Sequence, residues 1–171
     1  LGEKLHWHPA HMKNRYDNWV KGLKYDWCIS RQRFFGVPFP IWYCSDCNEI
    51  ITAKESSLPI DPLKDKAPVN ECPKCHSKSI IPEKDVLDTW ATSSLTPQIA
   101  QSLTRSKIFP MNLRPQAHDI ISFWLFNTVA RSYLHEKKLP WKVVAISGWA
   151  LDPDGKKMSK SRGNIIEPQE M

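Results

Sequence analysis

Four of the five cysteines form two C-x-x-C pairs, Cys44/Cys47 and Cys72/Cys75, and no other feature narrows the folds open to this 171-residue chain so sharply. Two residues between thiols let both sulfurs reach one ion, and four thiolates complete a tetrahedral zinc shell with no position left open for chemistry. The 24 residues between the pairs slightly exceed the usual ribbon spacing. The surrounding stretch, 44–84, is poor in large apolar groups and rich in Pro, Ser, Asp and Lys. Such a segment cannot bury a core by itself and needs a cross-link. A structural zinc on Cys44, Cys47, Cys72 and Cys75 is therefore expected, against the plainer alternatives of free surface thiols or a redox pair. His76 reads as a solvated neighbour of the site. Cys28, between Trp27 and Ile29, reads as a small buried hydrophobe.

Beyond residue 108 the pattern is that of an α/β protein. Asn112–Ala117 is short and turn-bounded and reads as a strand, although Pro115 counts against it. Residues 119–136 carry apolar side chains throughout and suit a largely buried helix, with Asp119 near its positive N-terminus. Val143-Val144-Ala145-Ile146 follows Pro140 and is β-branched, as a buried parallel strand would be. Strand, helix and strand in this order make a βαβ unit, whose ligands gather at the carboxyl ends of the strands, near Ala117–Asp119 and Ser147–Trp149. Upstream, Met12, Tyr16, Trp19, Val20 and Leu23 share one face of a predicted helix over 11–23 that ends near Gly22. Pro38 and Pro40 force an extended entry into Ile41-Trp42-Tyr43. The histidines of His6-Trp7-His8 and His11 read as part of a flexible, solvated stretch.

After the second strand comes Asp152-Pro153-Asp154-Gly155, a turn, and then a basic hydroxyl-rich loop from Lys156 to Asn164. Gly163 and Asn164 both tolerate left-handed backbone. Mobile ammonium groups beside serine hydroxyls suit a triphosphate whose leaving group is gaining charge; a merely solvated loop is the alternative. The net charge of +6, concentrated in residues 1–36 with seven Lys/Arg against three Asp/Glu, favours a polyanionic partner without requiring one. Ordinary hydrophobic (41%) and charged (25%) fractions exclude disordered and collagen-like chains. No run approaches 18 apolar residues, and Leu1-Gly2-Glu3-Lys4-Leu5-His6 lacks a signal peptide's layout, so a soluble cytoplasmic protein without a membrane partner is expected. The absence of an initial methionine and the abrupt end suggest a piece of a longer polypeptide.

Lys157-Met158-Ser159-Lys160-Ser161 resembles the KMSKS signature of class I aminoacyl-tRNA synthetases, and Arg162-Gly163-Asn164 continues it as that family often does. Asp26-Trp27-Cys28-Ile29-Ser30-Arg31-Gln32-Arg33, with Phe35-Gly36-Val37-Pro38, is similar to the segment by which valyl- and isoleucyl-type members re-enter the catalytic domain after their editing insertion. Asp85-Val86-Leu87-Asp88-Thr89-Trp90, and Ala117-His118-Asp119-Ile120-Ile121 followed by Trp124, resemble the valyl type of archaea and some bacteria.

The resemblance implies an α/β fold, the second half of a Rossmann-like nucleotide-binding domain with an inserted zinc-ribbon-like module. The divisions are 1–43 (return segment), 44–84 (zinc insertion) and 85–171 (catalytic half ending in the loop). It implies a monomeric parent that activates valine with ATP, accompanied by Mg, and transfers it to tRNA. Lys157 and Lys160 would be catalytic. Asp119, His118, Gly148, Met158, Ser159 and Ser161 would bind ATP, with Asp119 on the ribose and Gly148 beside adenine. Trp90, Ile120 and Trp124 would wall the valine side chain, which offers only shape and apolar area for recognition. Two departures stand out: Ala117 where the family has glycine, and the lack of any His-Ile-Gly-His-like stretch. The second implies that this piece alone is inactive. An isoleucyl enzyme, or a non-enzymatic zinc-ribbon module that binds nucleic acid, are the alternatives.

Overall fold

The computed structural model describes residues 1–104, 106–167 and 169. In chain order its strands and helices are β1 (His6–His8), α1 (Lys13–Gly22), β2 (Ser30–Arg31), β3 (Ile41–Cys44), β4 (Ile50–Thr52), β5 (Ile80–Pro82), β6 (Val86–Leu87), α2 (Thr89–Ser93), α3 (Thr96–Thr104), β7 (Met111–Ala117), α4 (Phe126–Glu136) and β8 (Trp141–Ser147). They form two compact units: Asp26–Thr92, and Leu1–Tyr25 with the described residues from Ser93 onward.

The second of these holds a three-stranded parallel sheet in the order β1-β8-β7. β7 and β8 run in register from Met111↔Trp141 to Ala117↔Ser147, so the strand–helix–strand unit forms as its pattern predicts. Pro115 sits on β7, an edge strand, where a missing N–H is tolerated. One sheet face packs on α1 and the helical stretch before α4. The core there is Leu5, Trp7, Tyr16, Ile121, Leu125, Val129, Trp141, Val144 and Ile146. On the other face Leu113 and Pro115 are exposed, and Val143 and Ala145 are half-buried.

Two expectations change here. His6-Trp7-His8 is no solvated tail: it is β1, paired with Val143–Ala145, with Trp7 buried and its indole N–H donated to the Gly2 carbonyl at 2.8 Å. Its partner strand lies more than 130 residues away in sequence, so local composition could not announce it. Nor is the stretch from 118 to 136 one largely buried α-helix. It opens as a 3-10 turn (His118–Ile120), continues as a π-helix (Ile121–Leu125), and becomes α4 only at Phe126. Phe123, Tyr133 and Leu134 face outward, so a single stripe carries the packing. Lys137, in left-handed conformation at φ 55°, closes the helix by donating its N–H to the Tyr133 carbonyl. α1 forms as expected, buries Tyr16, and carries a Lys13–Asp17 pair one turn apart at 2.6 Å.

The unit Asp26–Thr92 contains an antiparallel sheet, order β4-β3-β5, whose core is Trp42, Ile51, Cys44 and Cys72. It reaches beyond the cysteine-bearing stretch because β2 pairs with β6. Gly36 lies so close to Val86 that an added Cβ would come within 2.5 Å of the valine side chain, which makes glycine a packing requirement. Cys28 is exposed, not buried, with its sulfur 3.3 Å from the Ser30 hydroxyl. Among the described residues no helix is long and apolar enough to cross a membrane.

Candidate functional site

The carboxyl ends of β7 and β8 bring together His118, Asp119, Gly148, Trp149 and the loop from Ala150 to Asn164. His118 follows β7, with Nδ1 3.3 Å from the Ser147 carbonyl and its ring 4.7 Å from the Trp149 ring. The Lys157 ammonium donates to Asp119 Oδ2 at 3.0 Å and also lies 4.5 Å over the Trp149 ring. Partial burial by itself would raise the Asp119 carboxyl. Lys157 and a hydrogen bond from Trp149 outweigh it and hold the group below the usual carboxylate range. Gly148 borders open space, since a Cβ there would meet nothing within 4 Å.

The loop owes its shape to a few side chains. Asp152 caps the turn: its carboxylate accepts the Lys156 amide at 2.7 Å, and Gly155 takes the left-handed φ of 74°. Leu151 bridges to Lys157, and Met158 N–H reaches the Ala150 carbonyl. Asn164 then fastens the far end. Its amide donates to Asp152 Oδ2 at 2.7 Å and to the Lys157 carbonyl at 3.2 Å, while its oxygen accepts the Ser159 N–H at 3.0 Å. Of the two residues expected to tolerate left-handed backbone, only Gly163 adopts it, at φ 67°. Asn164 is needed instead for its side chain, a role the sequence reading missed.

Lys157, Met158 and Ser159 are half-buried, whereas Lys160 is exposed at the start of a short 3-10 turn, Lys160–Arg162. Among the described residues Lys160 forms no ion pair. The Ser159 and Ser161 hydroxyls lie 3.3 Å apart. One strand end thus offers a carboxylate, two aromatic rings, the Lys157 ammonium fixed on that carboxylate and the exposed Lys160 ammonium. Trp149 lies at the strand end where ligands were expected, and the structure adds its role as the ring beneath the Lys157 ammonium.

Of the residues expected to wall an aliphatic substrate, Ile120 ends the 3-10 turn and is half-buried. Trp124 sits in the π-helix, 5% exposed, with its indole N–H donated to the Ser93 carbonyl at 3.0 Å. Trp90 belongs to the other unit, on α2. It is 37% exposed, and its backbone N–H is held by Asp88 Oδ1 at 2.8 Å. Asp88 is buried, and its second oxygen pairs with Arg31 Nε at 2.9 Å.

The four cysteines predicted as ligands do converge, with all four sulfurs within 4.8 Å of one another. Cys44–Cys75 and Cys47–Cys72 are each 3.5 Å apart, close to the roughly 3.8 Å that tetrahedral thiolates about 2.3 Å from zinc would show. The two knuckles share one geometry. Cys44 N–H bonds the Glu49 carbonyl as Cys72 N–H bonds that of Ser77, and Asn48 and His76 take matching left-handed φ of 57° and 60°. Burial opposes ionisation of Cys44, but the amides of Asp46 and Cys47 and the neighbouring thiols overcome it and bring the group down to about 7. His76 points away to Glu71 at 3.6 Å and is solvated, as expected. The cluster can hold a metal ion.

The family model for tRNA synthetases class I (I, L, M and V) matches residues 1–171. A valine–tRNA ligase of Thermoplasma volcanium is 54% identical over 168 residues, 97% of this chain and 21% of that protein. The valine–tRNA ligase of Thermoplasma acidophilum is 55% identical over 170 residues, again 97% and 21%. That of Rickettsia conorii is 47% identical over 182 residues, 98% and 22%. The chain thus spans about a fifth of the length of these curated relatives. Among solved structures, the ternary complex of Agrobacterium radiobacter K84 agnB2 LeuRS, tRNA and LeuAMS superposes with a TM-score of 0.62 at 26% identity, covering 85% of this chain and 22% of the other.

Proposed function

The chain belongs to the class I tRNA synthetases of the I, L, M and V type, and on that premise we propose that it is part of a valine–tRNA ligase that activates valine with ATP and transfers it to tRNA. The pairing of Lys157 with Asp119 over Trp149, at the carboxyl end of a parallel sheet, is the observation that carries this reading. It supports a reading in which the Lys157 ammonium serves a nucleotide's phosphates and the Asp119 carboxylate its ribose.

In the proposed reaction a valine carboxylate oxygen attacks the α-phosphorus of ATP, and pyrophosphate leaves. Asp119 accepts ribose hydroxyls, and His118 and Gly148 border the base and ribose. The ribose takes over the carboxylate that Lys157 now holds, and the released ammonium joins exposed Lys160 to neutralise charge on the reacting phosphate and leaving group. Met158 and Ser159 lie along the adenine and phosphates, and the Ser159 and Ser161 hydroxyls are the donors offered there. Ile120 and Trp124 wall the isopropyl group. Mg accompanying ATP would supply further phosphate neutralisation.

Cys44, Cys47, Cys72 and Cys75 would hold zinc in a closed structural site, since four thiolates fill its coordination. Reduced thiols of this kind fit the cytoplasm, and the parent is proposed to act as a monomer. The thinly covered sheet face at Leu113, Pro115, Val143 and Ala145 supports a further layer in the full-length enzyme, because parallel sheets are covered on both faces. No His-Ile-Gly-His stretch occurs in residues 1–171, so turnover is proposed for the full-length enzyme.

The test is Lys160→Ala in that enzyme, read by ATP–pyrophosphate exchange. Adenylate formation should drop by orders of magnitude as transition-state stabilisation is lost. Unchanged activation with only weaker RNA binding would overturn the assignment. A panel of amino acids in the same assay separates valine from isoleucine, and better activation of isoleucine would refute the valyl specificity.

A further inference from the structure

Arg114 is a cation on the wrong side of its strand. Its register partner on β8 is Val144, a fully buried member of the core, and Gln116 two residues on is buried too. The period of two therefore places a guanidinium on the face that packs inward. Among the described residues no carboxylate pairs with it, and its Nε is buried without a hydrogen-bond partner. Burial pushes it down to about 10, which still leaves it charged at neutral pH. Arg114 is half-buried, and a cation partly withdrawn from water without a counter-charge costs stability unless another contact offsets it.

The contact is with Trp124. The guanidinium carbon lies 3.0 Å from the centroid of that indole ring. The ring is further held by its N–H bond to the Ser93 carbonyl and by Trp141, whose centroid is 6.1 Å away. Its backbone belongs to the π-helix, a local departure from regular α-helix that is frequent at functional sites. Thr128 Oγ1 donates to the Trp124 carbonyl at 2.6 Å. Three contacts thus hold the ring, and the planar guanidinium is the one that lies over its face. Arginine suits this better than lysine, because it stacks flat on an aromatic face and is less strongly hydrated.

We propose that Arg114 is a positioning residue for the valine pocket: by stacking on Trp124 it fixes the indole that bounds the isopropyl group, and so sets how tightly valine is held and how well bulkier side chains are refused. This rests on the function proposed above, with Trp124 as a wall of the pocket. Arg114 acts through Trp124 and leaves the phosphate chemistry to the loop lysines.

Two variants and two readouts test it. In the full-length enzyme, Arg114→Met keeps the length and apolar stem and removes the charged plane, while Arg114→Lys keeps the charge. In ATP–pyrophosphate exchange, Arg114→Met should raise the valine KM about tenfold and leave the ATP KM unchanged. It should also narrow the valine-over-isoleucine ratio of kcat/KM, and Arg114→Lys should recover part of both losses. In the 171-residue chain, the Trp124 indole N–H resonance, assigned with Trp124→Phe, should shift and exchange faster in Arg114→Met. Equal changes in both KM values, an unaltered amino-acid preference, or an unmoved indole signal would each overturn the proposal. Failure of the unmodified full-length enzyme to activate valine would sink the functional reading instead, and the indole signal would still decide whether Arg114 holds the ring.

Discussion

Replacing Asn164 by alanine should loosen the whole Lys157–Ser161 segment without touching a group that meets substrate. Its side chain makes two bonds to loop backbone, to the Lys157 carbonyl at 3.2 Å and from the Ser159 N–H at 3.0 Å, besides the one to Asp152. A hydrogen bond of this kind contributes about 1 kcal/mol net, so loss of the two backbone bonds costs the ordered loop about 2 kcal/mol. That corresponds to roughly a 30-fold rise in the population of open loop. Amide exchange of Ser159 in the 171-residue chain should accelerate by about that factor. In the full-length enzyme kcat for adenylate formation should fall by up to about 30-fold with the valine KM unchanged, since the pocket wall lies elsewhere. If Ser159 exchanged at the same rate in the variant and kcat held, the asparagine would be ornament and the argument for a stapled loop would fail.

Cys72→Ser should abolish stoichiometric metal, measured as about one zinc per chain by elemental analysis, and should lower the melting temperature, because 44–84 has little core beyond Ile51 and the thiols. A metal-free preparation that remained folded would contradict the closed four-thiolate site. Asp119 is held below its ordinary range, so the stabilisation from its pair with Lys157 is present at neutral pH and lost only as pH falls through the depressed value. The Trp149 indole signal, followed against pH, should show a midpoint below about 3.9; one above that would refute the pairing. Asp88→Ala removes both the Arg31 ion pair and the bond to the Trp90 amide, and should cost about 2–3 kcal/mol in denaturant unfolding. Unaltered stability would show that the buried carboxylate does no structural work.

Sequence alone determined whatever is written in near neighbours. The C-x-x-C spacing specified two knuckles, which the structure brings to one point. The β-branched run 143–146 and the dense apolar stretch 119–136 specified the strand–helix–strand unit, and with it the sheet edge where Asp119, Trp149 and Lys157 meet. Family motifs over 26–38, 85–90 and 117–124 were equally legible, because they are contiguous strings.

Only the tertiary structure could decide relations between distant segments. The pairing of His6–His8 with β8, the staple of Asn164 across the loop, and the guanidinium of Arg114 on Trp124 all join residues through space. Periodicity reports which face of an element is apolar, and it is blind to which remote group will cover that face. A charge such as Arg114 on an inward face is the one hint the pattern does give, and its meaning waits on the ring it meets. The physical reason is that local spacing fixes backbone conformation and side-chain direction, whereas the partner that satisfies a buried polar or aromatic group is chosen by packing of the whole chain.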